Sequence, residues 1–135
     1  MEMRAEMTLA SGEREFTEAG YRRQMEFIKA IDVYGADPAR VEGITGFRKV
    51  DAQWTRYGKK IKAHAWSTGI TTPRSLHCSL ASPNPIIFES KPFPAVVQDV
   101  VVAEKLWHKD GWASPISGPG LGIEVIEAEV RKIAP

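Results

Sequence analysis

The sequence predicts an α/β fold that forms half of a (β/α) barrel, with about four parallel βα units and an irregular C-terminal segment. Short strand-like segments alternate with amphipathic helix-like segments along much of the chain. Four ionisable residues close or follow the strand-like segments at intervals of 24, 27 and 25 residues. In a (β/α) barrel the C-terminal strand ends converge on one mouth, so these side chains are expected to meet there. The four residues are Glu13, Asp37, His64 and Glu89.

The chain length agrees with part of a barrel. A complete eight-stranded barrel takes about 250 residues, whereas this chain has 135. We expect residues 1–135 to form a single domain, because the composition contains no linker-like stretch that would divide them.

The first predicted unit is a strand over residues 7–11, which ends at Glu13, and a helix over residues 15–30. Apolar residues in that helix recur at i, i+4 and i+7, which is the spacing of one buried helix face. They are Tyr21, Met25 and Ile28.

The second predicted unit is a strand over residues 31–36 and a helix over residues 44–57. The strand ends at Asp37 because Pro38 cannot continue a central ladder. Gly58 is typical of a helix C-cap. The helix carries an amphipathic stripe, which we expect to be core: Ile44, Phe47, Val50, Trp54 and Tyr57.

The remaining predicted elements are less regular. The third predicted strand covers residues 60–65 and carries His64. The helix after it begins at Thr72, whose hydroxyl is typical of an N-cap, and ends near Ser82. A fourth strand over residues 85–88 ends at Glu89. Beyond residue 90 we expect an irregular stretch at 91–94, a short strand at 100–102, a glycine-rich loop at 118–122 and a short helix at 126–133.

Charge and composition exclude several classes of function. Eighteen basic residues against seventeen acidic residues leave a net charge of +1, which predicts no basic surface for nucleic acid. No apolar run approaches the ~20 residues of a membrane span, and the N-terminus lacks the apolar core of a signal peptide. We therefore expect a cytoplasmic protein without nucleic-acid or membrane partners.

Cys78 is the only cysteine, so no intrachain disulfide can form. It lies in a predicted helix interior next to His77, and adjacent helix residues do not face each other. We expect Cys78 to be a small buried residue and not a nucleophile.

The segments around the ionisable residues form recognisable motifs. The clearest is Ala63-His64-Ala65-Trp66-Ser67-Thr68-Gly69-Ile70, which resembles the seventh-strand segment of the mandelate racemase/muconate-lactonizing branch of the enolase superfamily. Other segments resemble the fifth-strand metal-ligand motif, the sixth-strand motif, the eighth-strand acid and the closing segment of that branch. These are, in order, residues 11–13, 37–45, 88–89, and 110–112 with 118–124.

The resemblance implies the C-terminal part of a barrel domain, equivalent to barrel strands five to eight. It also implies a chemistry in which a proton next to a substrate carboxylate is abstracted and the resulting enediolate is stabilised on magnesium. Carried over by position, Glu13 would be a metal ligand and His64 the acid/base. Asp37 would hydrogen-bond the imidazole of His64. Glu89 would be the acid that hydrogen-bonds the substrate carboxylate.

The resemblance does not extend to the N-terminal capping domain or to barrel strands one to four of this branch. Those strands carry two of the three magnesium carboxylates and the lysine base. With Glu13 as its one carboxylate ligand, Mg²⁺ is expected to bind weakly. Lys60-Ile61-Lys62 resembles the basic-strand pattern of the branch but lies on the seventh-strand equivalent. Strand alternation places Lys60 and Lys62 on the same side as His64.

Two functional hypotheses follow. We favour a truncated protein of this branch that lacks the full parent activity and persists as an oligomeric or interaction domain. The alternative is a racemase or dehydratase, hence an isomerase or lyase, that acts on an acid-sugar-like carboxylate. Its missing ligands would come from a separate N-terminal barrel and cap polypeptide or from a dimer mate. Since a half barrel has two open sheet edges and one uncovered face, we expect a homodimer.

Overall fold

The computed structural model describes residues 6–91, 95–106 and 108–134. Residues 92–94, which fall in the stretch predicted to be irregular, lie outside this part of the chain. The elements are, in chain order, β1 (Ala10–Ser11), α1 (Thr17–Phe27), β2 (Val33–Tyr34), α2 (Gly43–Arg56), β3 (Lys60–Ile61), α3 (Thr71–Ala81), α4 (Val96–Asp99), β4 (His108–Lys109), β5 (Trp112–Ala113) and α5 (Glu127–Ile133).

Three parallel strands form the central sheet in the order β1-β2-β3. The register sets Ala10 beside Val33, and Val33 beside Lys60. The fourth predicted strand, residues 85–88, meets the sheet through one isolated parallel bridge, between Ile61 and Pro85. The mixed α/β architecture with a few parallel strands is confirmed.

The predicted strands were too long, since each ladder strand has two residues. Gly12 has a φ of 107°, which turns the chain out of β1 immediately after Ser11. Backbone pairing nevertheless continues past β2 and β3. The amide of Lys62 donates to Tyr34 O at 3.0 Å, and the amide of His64 donates to Ala36 O at 2.9 Å.

The core lies between the sheet and the helices, and aromatic rings fill its centre. The Tyr34 ring stacks on Trp54 with centroids 4.6 Å apart, and Tyr21 meets Trp54 edge-on at 5.0 Å. These three side chains join α1, α2 and β2. The buried cluster consists of Tyr21, Met25, Ile31, Tyr34, Ala36, Val41, Phe47, Val50, Trp54, Ile61, Ala63 and Cys78.

The ends of the predicted apolar stripes are exposed. Ile28 follows the last residue of α1, and Ile44 and Tyr57 lie at the two ends of the second helix, so all three point away from the core. Their predicted burial was wrong, since Ile28 and Tyr57 lie just beyond the last helical turn and Ile44 lies in the first turn, where the apolar spacing no longer faces the buried cluster. Gly58 has a φ of 66° directly after α2, as expected for a C-cap glycine.

The predicted N-cap of the third helix was also wrong. Thr72 lies inside α3, where its hydroxyl donates to Ala65 O at 3.2 Å. The N-cap position is Ile70, and the hydroxyl that serves this helix start is that of Thr68, whose Oγ1 accepts the amides of Ile70 and Thr71. This earlier hydroxyl starts the helix before Pro73.

The C-terminal segment contains structure that the sequence pattern did not indicate. The predicted strand at 100–102 is instead an antiparallel bridge between Val102 and Val125, which follows the short helix α4. The hairpin of β4 and β5 was not predicted. The predicted terminal helix is present as α5. Among the described residues, no helix is both long and apolar enough to cross a membrane.

Candidate active site

The candidate site lies where the chain leaves the C-terminal ends of the parallel strands. Asp37 follows β2 and His64 follows β3, and the His64 amide bonds to the carbonyl of Ala36. This backbone bond holds the two strand extensions side by side. The Ser75 hydroxyl in α3 donates to His64 O at 2.7 Å, so the helix that follows also fixes this residue.

Asp37 and His64 form a hydrogen-bonded pair. Asp37 Oδ2 lies 3.0 Å from His64 Nδ1, with the Asp37 side chain 2% exposed and the His64 side chain 13% exposed. The other oxygen of Asp37, Oδ1, accepts the Ala39 amide at 2.7 Å. A carboxylate can only accept hydrogen bonds. The Nδ1 nitrogen that faces this carboxylate is therefore the donor, and in a neutral ring Nε2 keeps its lone pair.

Arg40 connects this pair to the end of the first strand. Its Nη1 donates to Glu13 O at 2.9 Å, and its Nε lies 3.8 Å from Asp37 Oδ2. The guanidinium also lies 5.6 Å from the centroid of the Phe16 ring. Arg40 therefore holds the loop after β1 against the Asp37 carboxylate. The sequence motif contained Arg40 but gave no signal of this contact across 27 residues.

The Glu13 side chain is part-exposed, and its carboxylate has no hydrogen-bond or ion-pair partner among the described residues. Glu13 can bind Mg²⁺ only together with neighbouring carboxylates, because hard cations require several oxygen ligands. The described residues contain no group of three or more His, Cys, Asp or Glu side chains arranged to hold a metal ion. Asp37 is engaged with His64 and Glu89 with Lys62. These residues do not fit a magnesium site on their own.

Glu89 forms an ion pair that the sequence did not predict. Its Oε2 lies 2.5 Å from Lys62 Nζ, with the Lys62 and Glu89 side chains 20% and 18% exposed. The signal available in the sequence was the alternation that places Lys62 on the same side of the strand as His64. The alternation pattern does not show which residue pairs with Lys62. Lys60, one alternation earlier, is exposed.

The structure thus relates the four predicted site residues in two groups. Asp37 and His64 bond directly, and Glu13 reaches them through its backbone carbonyl and Arg40. Glu89 forms the second group with Lys62, which lies two residues before His64 in the chain. Their catalytic roles stay predictions.

Cys78 is 4% exposed and belongs to the buried cluster. Burial raises the pKa of its thiol to about 11, with smaller opposing effects of Arg74, which lowers it, and Asp51, which raises it. Since the thiolate is the nucleophile, this cysteine is inert at neutral pH.

Comparisons with known proteins identify the family and the fold of the chain. The family model described as enolase C-terminal domain-like matches residues 1–129. The chain belongs to this family. No curated protein sequence matches this enolase-like chain at a significant level.

Solved structures of mandelate racemase/muconate-lactonizing type share the fold. A Bordetella bronchiseptica RB50 protein, provisionally described as a mandelate racemase and complexed with 2-oxoglutarate/phosphate, is 29% identical with a TM-score of 0.85. A mandelate racemase/muconate-lactonizing enzyme-like protein from Roseovarius sp. TM1035 is 27% identical with a TM-score of 0.81. A Salmonella enterica serovar Typhimurium protein, provisionally described as a dehydratase, is 28% identical with a TM-score of 0.82.

The enolase-like chain corresponds to part of each of these proteins. The matches cover 95%, 94% and 94% of this chain, but 34%, 31% and 32% of the Bordetella, Roseovarius and Salmonella chains. It therefore spans about a third of the length of the structures it resembles.

Proposed function

We propose that this chain carries the histidine-bearing half of a proton-transfer site of the racemase or dehydratase kind, on strands equivalent to five to eight of a (β/α) barrel. The observation that carries the proposal is the Asp37–His64 pair at adjacent strand ends, with the carboxylate buried and Nδ1 engaged. A neutral imidazole whose second nitrogen is free is a suitable base near neutral pH.

In this reaction His64 Nε2 takes a proton from the carbon next to a substrate carboxylate, and the bonding electron pair moves into the carboxylate. Asp37 stabilises the imidazolium that forms and fixes the ring orientation. Return of a proton to the same face of the carbon gives exchange, and delivery to the opposite face gives racemisation. Dehydration results when a hydroxyl on the neighbouring carbon takes the proton from the imidazolium and leaves as water, while the electron pair of the enediolate forms the carbon–carbon double bond. The names of the Bordetella and Salmonella proteins support these two outcomes.

The described residues supply too few cationic or metal-holding groups to stabilise an enediolate by themselves. We therefore expect the 135-residue chain to lack the full parent activity when purified alone, and to gain it when complementary βα units complete the barrel. Those units come from another polypeptide or another region of a longer chain.

The experiment is a chimera in which residues 6–134 replace the corresponding third of the Bordetella protein. Deuterium incorporation from D₂O next to the carboxylate is followed by NMR, with whichever 2-hydroxy acid the intact Bordetella protein exchanges. We expect exchange in the chimera and a loss of about 10²–10⁴-fold in its His64→Asn variant. A folded chimera whose residual exchange does not depend on His64 would show the proposal to be wrong.

A specific observation also favours an association role for the chain itself. β1 is exposed at the edge of the sheet, and Ile86 and Ile87 beside the opposite edge are 40% and 62% exposed. Unpaired strand edges and exposed apolar side chains favour pairing with another chain. We propose a homodimer through these edges, which light scattering would contradict by finding a stable monomer at micromolar concentration.

A further inference from the structure

Lys62 lies two residues before His64, and strand alternation places both side chains on the same side of the sheet. The stem passes over Gly35, where an added Cβ would lie 3.6 Å from Lys62 Cε, an ordinary contact distance. At its end, Nζ bonds Glu89 Oε2 at 2.5 Å. The side chain is four-fifths buried, at 20% exposure, so the position of the charge is set by the fold.

The ammonium has hydrogen-bonding capacity to spare. It carries three N–H donors, and Glu89 Oε2 is the one acceptor it meets within the described part of the chain. A partly buried ammonium gains most from an ionised oxygen acceptor, because charge-assisted bonds are the stronger kind. The feature therefore favours a ligand with a carboxylate group.

We propose that Lys62 receives the anionic end of a small carboxylate ligand, and that Glu89 is the resident counter-ion of Lys62. This assignment moves ligand contact from Glu89, which family resemblance suggested, to a lysine without an assigned role. It rests on the proposed function for the ligand class, but it requires neither turnover nor a metal.

The spacing between Lys62 and His64 sets the size of the ligand. The Cα atoms of residues two apart on an extended strand are separated by about 7 Å, and we take this as the scale of the distance that the ligand bridges. A carboxylate on Lys62 with one or two further carbons would bring a carbon atom towards the imidazole. The class is therefore a short mono- or dicarboxylate.

The probe is malonate, titrated by calorimetry into the purified 135-residue chain in buffer containing EDTA. Malonamide, which has the same shape without charge, is the ligand control. The test variant is Lys62→Met, which keeps the stem and removes the ammonium. The matched control is Lys60→Met, because Lys60 lies on the same side of the same strand but is exposed.

We expect the Kd of malonate to rise at least about tenfold in Lys62→Met and to change by less than about twofold in Lys60→Met. Glu89→Gln removes the competing charge and is expected to lower the Kd several-fold. Absence of malonate binding to the native chain, equal effects of the two lysine variants, or equal binding of malonamide would overturn the proposal. If Lys62→Met does not fold, the Glu89→Gln result decides, and an unchanged or weakened affinity there overturns it.

The outcome is separable from that of the chimera. Malonate binding that depends on Lys62, in a chain whose chimera shows no His64-dependent exchange, would support the anion site and reject proton transfer. Exchange without such binding would reject Lys62 as the anion contact and leave proton transfer standing.

Discussion

Replacing Asp37 by Asn changes the proton position on His64 while leaving the size of the side chain unaltered. In the native chain Asp37 Oδ2 accepts from His64 Nδ1 at 3.0 Å, and Oδ1 accepts the Ala39 amide at 2.7 Å. An Asn side chain keeps the second bond if its oxygen faces Ala39. The reverse orientation would set two donors against each other. The Asn NH₂ group therefore faces Nδ1 and bonds only to an unprotonated nitrogen, which moves the ring proton to Nε2.

The energetic cost follows from the types of bond exchanged. A hydrogen bond to a charged group contributes about 1.5–3 kcal/mol, and a neutral one about 0.5–1.5 kcal/mol. Since Asp37→Asn replaces hydrogen bonds to a charged carboxylate by hydrogen bonds to a neutral amide, we expect the free energy of unfolding to fall by about 1 kcal/mol. Complete loss of the proposed base is expected at the same time, because Nε2 no longer has a lone pair.

Two measurements check this prediction. Long-range ¹⁵N–¹H correlation spectra, at a pH where the ring is neutral, report which nitrogen of His64 carries the proton. Urea unfolding reports stability. Asp51→Asn is the matched control, since Asp51 is also buried but bonds Ser82 Oγ at 2.8 Å and does not touch the imidazole. A native-like Nδ1–H tautomer in Asp37→Asn, or a tautomer change in the Asp51 control, would refute the reasoning.

Three further predictions follow from burial and packing. Burial raises the pKa of Asp51, with an opposing hydrogen bond from Ser82, so its folded pKa exceeds the unfolded value. Its contribution to stability is then greatest below the unfolded pKa and is lost as pH rises through the folded pKa. Asp51→Asn should remove the decline in the free energy of unfolding that begins as pH rises above 3.8, the ordinary pKa of Asp. Urea unfolding over a pH series measures this, and an unaltered slope would contradict it. Burial raises the pKa of the Cys78 thiol to about 11. At pH 8 we therefore expect Cys78 to react with iodoacetamide at least about 100-fold more slowly than in the urea-unfolded chain. Mass spectrometry measures both rates, and equal rates would contradict a buried thiol. Gly46→Ala would bring a Cβ within 1.5 Å of the backbone oxygen of Val41, whereas the atoms nearest to a Cβ at Gly20 belong to the flexible side chain of Glu15. The first should lower the melting temperature strongly and the second only slightly, and similar shifts would contradict the close packing at Gly46.

The sequence could predict the elements that periodicity specifies. The second helix was predicted at residues 44–57 and runs over Gly43–Arg56, with Phe47 and Trp54 of its stripe buried. The apolar spacing is strong there because one helix face packs along its central turns. The same rule failed at Ile44 and Tyr57, because periodicity says which face is apolar but not where the sheet beneath it ends.

Contacts between distant residues were harder to predict. The motif order placed Asp37 and His64 at neighbouring strand ends, and those ends are adjacent. The Lys62–Glu89 and Arg40–Glu13 contacts each span 27 residues and depend on side-chain reach across the mouth. Residue types at fixed spacing specify the strand ends but not which long side chain crosses between them. The sequence around residues 108–113 likewise showed no strand-like alternation that would have predicted the β4–β5 hairpin.

The strand order has a consequence for how such a molecule could arise. Each strand of the β1-β2-β3 ladder pairs with the unit next to it in the chain. Units arranged in this way can be added or removed at either side without rearranging the pairs between them, as in repeat proteins whose stability depends on nearest neighbours. Splitting and joining of genes at unit boundaries would then preserve the Asp37–His64 junction, so this pair can be inherited as one module by chains of different length.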